Sequence, residues 1–199
     1  MVNYIDNCYT FSSKNNETDR GLIFYQGAKV ENISYAPLLY HFAKDTNTFC
    51  VLVKAPFNFP LFNVNAADNP INKYTNIKNW YVAGHSLGGI VSSMYAANHY
   101  ASLKGLILLA SYANADLTAT NLNVALIYGD QDLLLNQSIY QKAKSRLPSN
   151  YYEHVIEGGN HAGFAMYGEQ ERDGLASISQ IEQIQETVNF CKNNLFMSE

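Results

Sequence analysis

A glycine-framed serine, Gly84-His85-Ser86-Leu87-Gly88, lies between an apolar run that reads as a strand (Trp80, Tyr81, Val82, Ala83) and one that reads as a helix (Ile90, Val91, Met94, Tyr95). In that strand–turn–helix setting the G-x-S-x-G spacing has a steric meaning. Ser86 must sit on a turn so sharp that its backbone is strained, and side chains at positions 84 and 88 would collide with neighbouring backbone. The hydroxyl is thereby pushed clear of a sheet, at a helix N-terminus whose dipole favours developing negative charge. That is the setting for a nucleophile. The bland alternative is a glycine-rich turn carrying a surface serine.

A serine hydroxyl is a weak nucleophile, so the chemistry also needs a base to take its proton and a carboxylate to orient that base. Two loops after later strand-like runs supply them. Gly129-Asp130-Gln131-Asp132 follows the run ending at Tyr128, and Glu157-Gly158-Gly159-Asn160-His161-Ala162-Gly163 follows the run ending at Ile156. The order Ser, Asp, His is the one expected for this elbow type. His161, on a Gly-Gly loop, is the candidate base. Asp132 is preferred as the acid, because Asp130 directly follows the strand's glycine and is placed to hold the turn. His41 and His99 fall in helix-like runs and His154 in mid-strand, where packing or surface roles are expected. His85 precedes the serine and points elsewhere along the turn, so a structural hydrogen bond is its expected role.

Acyl transfer also requires an oxyanion hole. One donor is expected to be the backbone N–H of Leu87, and the other that of Ala28 in the loop Gln26-Gly27-Ala28-Lys29, which follows an earlier strand. Aromatic residues near these loops are candidates for a substrate pocket: Phe57 and Phe59, with Phe62, on one side, and Phe164 and Tyr167 after His161. Packing of the core beneath a loop is an equal alternative for both sets.

The elements that must hold these residues alternate in type. Gly21–Tyr25, Thr48–Lys54, Lys104–Ala110 and Asn123–Tyr128 are continuous apolar runs, as expected of strands covered on both faces, and Tyr151–Ile156 is a further strand. A short edge strand is expected around Tyr9–Phe11. Helix signals lie between them: Leu38, Leu39, Phe42 and Ala43; the run after Ser86; Leu135, Ile139, Ala143 and Leu147, ended by Pro148; and Ile178, Ile181, Ile184, Val188 and Cys191 behind the capping box Ser179-Gln180-Ile181-Glu182. The pattern predicts a three-layer α/β/α sandwich with a mostly parallel sheet of about six to seven strands, built as one domain over residues 1–199. Only about a dozen residues, Ser111 to Leu122, separate two strands, too few for a full crossover helix or an inserted lid.

Composition narrows the function classes. The chain has 199 residues, a formal net charge of −4 and only 15% charged residues, with no basic face for nucleic acid. No run approaches a membrane span, and the first residues lack the basic and apolar regions of a secretory signal. Cys8, Cys50 and Cys191 are widely spaced, in no metal-like pattern, and Cys50 and Cys191 read as buried thiols in a reducing cytoplasm. The reading calls for no metal, no cofactor and no nucleic-acid or membrane partner; it leaves the oligomeric state open.

Taken together, these residues resemble the α/β-hydrolase fold from Gly21 to the last helix. More narrowly, Tyr25-Gln-Gly-Ala-Lys-Val-Glu31, Val53-Lys-Ala-Pro-Phe-Asn-Phe59, Gly158-Gly-Asn-His-Ala-Gly-Phe164, Tyr167-Gly168 and Asp173-Gly174 resemble the small lidless bacterial hydrolases grouped near the dienelactone hydrolases. That resemblance implies Ser86 as nucleophile, Asp132 as acid and His161 as base. Dienelactone hydrolases proper use a cysteine nucleophile, so Ser86 argues for a general carboxylic ester, and an open, lidless site argues for short-chain or soluble ones. The same triad would also serve a thioesterase or an acyltransferase. A non-catalytic binding module on the same scaffold is the alternative from another class.

Overall fold

The apolar runs become the strands of one sheet because their alternate side chains face opposite layers. In β3 (Arg20–Tyr25), Leu22 and Phe24 point to one face and Ile23 and Tyr25 to the other, and all four are buried. The computed structural model describes residues 1–6, 8–13 and 17–196. Its other strands are β1 (Val2–Ile5), β2 (Cys8–Phe11), β4 (Phe49–Leu52), β5 (Asn79–His85), β6 (Leu103–Leu109), β7 (Asn123–Gly129) and β8 (Tyr151–Ile156). Their order is β1-β2-β4-β3-β5-β6-β7-β8, and β3 to β8 pair in parallel.

Eight strands replace the six to seven expected from the sequence. The addition is β1, which pairs antiparallel with β2 in a hairpin that sets Ile5 opposite Cys8. Val2, Tyr4 and Ile5 are apolar, but the strand is only four residues long and all four are exposed, so it lacks the continuous buried run that reveals the other strands.

Helices cover both faces. On one, α1 (Ala36–Thr46) and α5 (Gln180–Asn194) bury Leu38, Leu39, Phe42, Ile184 and Val188 against Leu22, Phe24 and Ile107. On the other, α3 (Leu87–His99) and α4 (Gln137–Ala143) bury Val91, Tyr95, Ala96 and Tyr140 against Ile23, Val82 and Leu108. The short α2 (Asp68–Lys73) lies beyond β4. Cys50 and Cys191 are buried free thiols, as the sequence indicates. Among the described residues no helix is long and apolar enough to cross a membrane.

Two local details differ from the sequence pattern. The capping box forms as expected, with the Ser179 and Glu182 side chains each bonded to the other's backbone N–H. The inward face of α5, however, is rotated: Ile181 is exposed, while Gln183 and Thr187 are buried. The α4 helix stops at Ala143 and continues only as a 3-10 turn to Arg146. Between β6 and β7 the chain crosses without a helix, burying Ala113 and Leu117, and is pinned where Leu117 N–H donates to the Arg146 carbonyl at 2.8 Å.

The order β4-β3-β5 creates a switch point, because the chain leaves β3 toward β4 on one side and β5 pairs on the other. The chain therefore leaves β3 and β5 toward opposite faces at the C-terminal end of the sheet, the switch point at which sheets of this kind form a crevice. There Gly84 and Gly88 let the turn close. A methyl group on Gly84 would overlap the Gly88 carbonyl, and one on Gly88 would overlap the Tyr25 and Gln26 carbonyls. Gly88→Ala should therefore cost roughly 2–4 kcal/mol in urea unfolding, at or beyond the upper end of ordinary overpacking, because the colliding atoms are backbone. An unchanged midpoint would contradict this contact.

Candidate functional site

Ser86 sits between β5 and α3 with φ 53° and ψ −123°, a conformation that costs a non-glycine residue on the order of 1–3 kcal/mol. Its backbone is held from several directions. The Ser86 N–H donates to the Leu109 carbonyl at 2.9 Å. Its own carbonyl accepts from the Gly89 N–H at 3.0 Å, the Ile90 N–H at 3.3 Å and the Ser111 hydroxyl at 2.7 Å. Ser111 reaches it because Ala110, at the end of β6, also has a positive φ of 45°. The Ser86 hydroxyl itself makes no hydrogen bond among the described residues.

Asp132 and His161 meet in the interior. Nδ1 of His161 donates to Oδ2 of Asp132 at 2.9 Å, and both side chains are buried. The other carboxylate oxygen accepts from the Leu134 and Leu135 N–H groups at 2.9 and 2.8 Å, so the acid is locked from its own loop. Asp130 points elsewhere. Its Oδ1 accepts from the Gly158 N–H at 2.8 Å and holds the turn between the two loops.

The loop carrying His161 is fixed by α5. Gln183 Nε2 donates to the Asn160 carbonyl at 2.8 Å, and its Oε1 accepts the Asn160 N–H at 3.1 Å. Asp173 Oδ2 accepts the Ala162 N–H at 2.9 Å. These contacts explain why a glutamine takes an inward position on α5.

On the opposite side of the crevice, the loop after β3 is organised by Gln26, which is fully buried. Its Oε1 accepts from the Ala55 N–H at 3.1 Å, and its Nε2 donates to the Val30 carbonyl at 2.6 Å and to Asn58 Oδ1 at 3.2 Å. The Lys29 N–H then donates to the Asn58 carbonyl at 2.7 Å. The Ala28 N–H has no partner among the described residues. Leu87 opens α3, ahead of the first intrahelical acceptor, so its N–H is likewise free among them.

The aromatic candidates divide. Phe57 is 91% exposed and Phe62 65% exposed; with the half-buried Phe59 they form an aromatic cluster, ring centroids 5.4 and 6.2 Å apart, on the loop that Gln26 tethers. Phe164 is fully buried and packs into the core beneath the site, 5.6 Å from the His85 ring, so it is not available as a pocket wall. Tyr167 is half-buried, its ring 6.5 Å from His85. Burial, and then the carboxylates of Asp173 and Asp132, push its phenol up.

His85 is fully buried. Its Nε2 lies 3.0 Å from the His161 carbonyl and its Nδ1 2.8 Å from the Tyr35 hydroxyl. Sequence reasoning gave His85 a structural bond but passed over Tyr35, Ser111, Gln26 and Gln183. Ser111 was within reach, since it follows a strand at the end of the sheet where functional residues collect. Gln26 stood at a strand end in the same way, whereas Tyr35 and Gln183 lie on helical segments, where nothing local marks them.

The comparisons with known proteins agree with this architecture. A model of the alpha/beta hydrolase family matches residues 21–185. The chain belongs to that family. Among solved structures it is similar to a protein assigned as a CIB-like hydrolase from Thermoplasma acidophilum, at 14% identity and a TM-score of 0.66, over 97% of this chain and 98% of that one. It is also similar to one assigned as a lipase from Acinetobacter baumannii, at 12% identity and a TM-score of 0.63, over 97% and 90%. At these identities the likeness speaks for the fold alone. No curated protein matches the sequence. None of these findings singles out the dienelactone hydrolase group within the family.

Desolvation, and then the neighbouring His161, hold the His85 imidazole uncharged well below its ordinary value of 6.5. The unfolded chain protonates His85 near that value, so below it the native state binds fewer protons. The contribution of neutral His85 to stability is thus intact above pH 6.5 and declines as the pH falls below, by up to about 1.4 kcal/mol per pH unit. His85→Gln removes that slope. The unfolding free energies of wild type and variant, measured in urea from pH 7 to 5, should shift in the variant's favour as the pH falls; a constant difference would contradict a buried neutral imidazole.

Proposed function

We propose that this alpha/beta hydrolase is a serine esterase that cleaves carboxylic esters through an acyl-enzyme, with Ser86 as nucleophile, His161 as general base and Asp132 as its orienting acid. The observation that carries the reading is the buried Asp132–His161 pair at 2.9 Å, on a loop that packs the His161 ring 4.6 Å from that of His85, the residue before the strained serine. With Nδ1–H committed to the carboxylate, Nε2 is the bare nitrogen and can accept a proton.

The steps follow from that tautomer. The Ser86 oxygen attacks the ester carbonyl as its proton passes to His161 Nε2, and the carbonyl oxygen becomes an oxyanion facing the Leu87 and Ala28 N–H groups. Collapse breaks the bond to the alkoxy group, which leaves as an alcohol carrying the proton from His161. Water then attacks the acyl-enzyme by the same route, releasing the acid and restoring Ser86. Hydrogen bonds that are open in the free enzyme commonly close only with substrate bound, as the serine-to-histidine link must here. Loss of one oxyanion donor in such a site lowers kcat on the order of 100-fold to 1000-fold.

The short helix-free crossing between β6 and β7, which leaves no room for a lid there, favours short-chain or soluble esters. The exposed cluster of Phe57, Phe59 and Phe62 offers an apolar surface for the non-reacting end of such a molecule.

A fluorophosphonate probe should label the wild type and fail to label Ser86→Ala, whose kcat on p-nitrophenyl acetate should fall by about four to six orders of magnitude with the fold intact. Labelling that survives the substitution removes the assignment. Asp132→Asn should lose about 10,000-fold in kcat by favouring the wrong tautomer, whereas Asp130→Asn should act mainly on stability. Equal kinetic losses at the two positions would reverse the choice of acid. Across p-nitrophenyl esters, acetate and butyrate should be cleaved faster than decanoate or palmitate, and the opposite order would sink the short-chain reading.

A further inference from the structure

A single chain of buried hydrogen bonds joins the loop after β3 to the loop that carries His161, and its directions can be assigned from the chemistry of its members. The His161 carbonyl can only accept, so Nε2 of His85 bears the proton at that 3.0 Å contact. In a neutral ring Nδ1 is then bare, and it accepts the Tyr35 O–H at 2.8 Å. The Tyr35 oxygen in turn accepts the Gly27 N–H at 2.9 Å. Every donor and acceptor along the chain is satisfied in one direction only.

We infer that His85 and Tyr35 are positioning residues that set the catalytic geometry by fixing the backbone on both sides of the nucleophile. The inference rests on the esterase reading above. On one side the chain ends at the peptide that carries the base. The His161 carbonyl is held by His85, and the Ala162 N–H of the same peptide is held by Asp173 at 2.9 Å. The plane from which the His161 ring hangs is therefore clamped at both poles. On the other side the chain ends at Gly27, the residue before Ala28. Close approach there requires a glycine, since a methyl group on Gly27 would stand 2.8 Å from the Tyr35 oxygen and 3.2 Å from His85 Nδ1. His85 is also the covalent neighbour of Ser86. Nucleophile, base and one oxyanion donor are thus referenced to one uncharged imidazole. Its ring stays neutral 4.6 Å from that of His161, so it does not oppose the imidazolium that forms there during acyl transfer. Misplacement of reacting groups by about 1 Å can cost on the order of 100-fold in rate, the scale of effect at stake.

The test compares full-length wild type, His85→Leu, His85→Gln and Tyr35→Phe for kcat and KM on p-nitrophenyl acetate, for thermal midpoint, and for the ¹⁵N ring resonances of His161. His85→Leu and Tyr35→Phe should lower kcat about 10-fold to 100-fold with KM changed less than about threefold. His85→Gln should recover most of the loss, because an amide can accept from Tyr35 and donate to the His161 carbonyl. The His161 Nδ1–H resonance should be single in wild type and His85→Gln, and split or lost in His85→Leu. Tyr35→Phe removes one oxygen, and it decides the kinetic question should His85→Leu fail to fold. Kinetic loss equal in the leucine and glutamine variants, or kcat unchanged in Tyr35→Phe, would overturn the inference. Should the wild type hydrolyse no ester, the esterase reading fails on its own and the ring resonances decide the positioning role: an undisturbed His161 signal in His85→Leu, or in Tyr35→Phe if the leucine variant does not fold, overturns it.

Discussion

The positive-φ backbone at Ser86 is the constraint on which the rest of this structure turns. A strained residue persists only where its surroundings leave it no alternative. Here the alternatives are removed by three hydrogen bonds to the Ser86 carbonyl and one from its N–H, together worth a few kcal/mol at about 1 kcal/mol each, comparable to the strain they oppose. Sustaining that arrangement needs β6 alongside β5 to present Leu109 and Ser111, a glycine at 84 to let β5 meet the start of α3, and one at 88 to let α3 meet the end of β3. The sheet order follows from the same demand, because the crevice opens where β3 and β5 lie side by side and the chain departs from them in opposite directions.

Around that turn the site is built mostly from backbone groups held by buried side chains. Gln26 organises one loop, Gln183 another, and Asp132 is fixed by two N–H groups of its own turn. Amides suit this work because one side chain both donates and accepts, so a single side chain can hold the two peptide groups that flank one residue, as Gln183 does at the N–H and carbonyl of Asn160. The reacting side chains therefore sit on a scaffold whose loops have little freedom, although none is part of a regular element.

Legibility from sequence divided along the same line. Buried parallel strands announce themselves as apolar runs, and the elbow, Asp132 and His161 stand at strand ends in a recognisable order, so the fold and the polar centre of the site could be read. What could not be read depends on tertiary partners. Strand β1 is exposed throughout and exists only because β2 pairs with it. Ile181 fits the helical apolar period, yet faces outward because Gln183 is required inside. Phe164 looks like a pocket aromatic beside His161 and is instead core, since the short 3-10 turn after His161 folds it beneath the loop. Tyr35 is one tyrosine among fifteen, and nothing local in the chain distinguishes it.

The two margins of the sheet differ in what they present to a strand of another molecule. An open sheet ends in rows of unpaired N–H and C=O groups that can recruit a strand from another molecule. At one margin the row is only four residues long, because β1 runs from Val2 to Ile5, and a lysine–aspartate contact between Lys73 and Asp6 puts charge at its end. At the other margin β8 carries exposed Tyr151, Tyr152 and Val155, but Glu153 and His154 interrupt them, paired with Lys144 and Glu186. One margin is short and the other is interrupted by charge, so neither presents a long, uninterrupted apolar strand as a template for fibrous pairing.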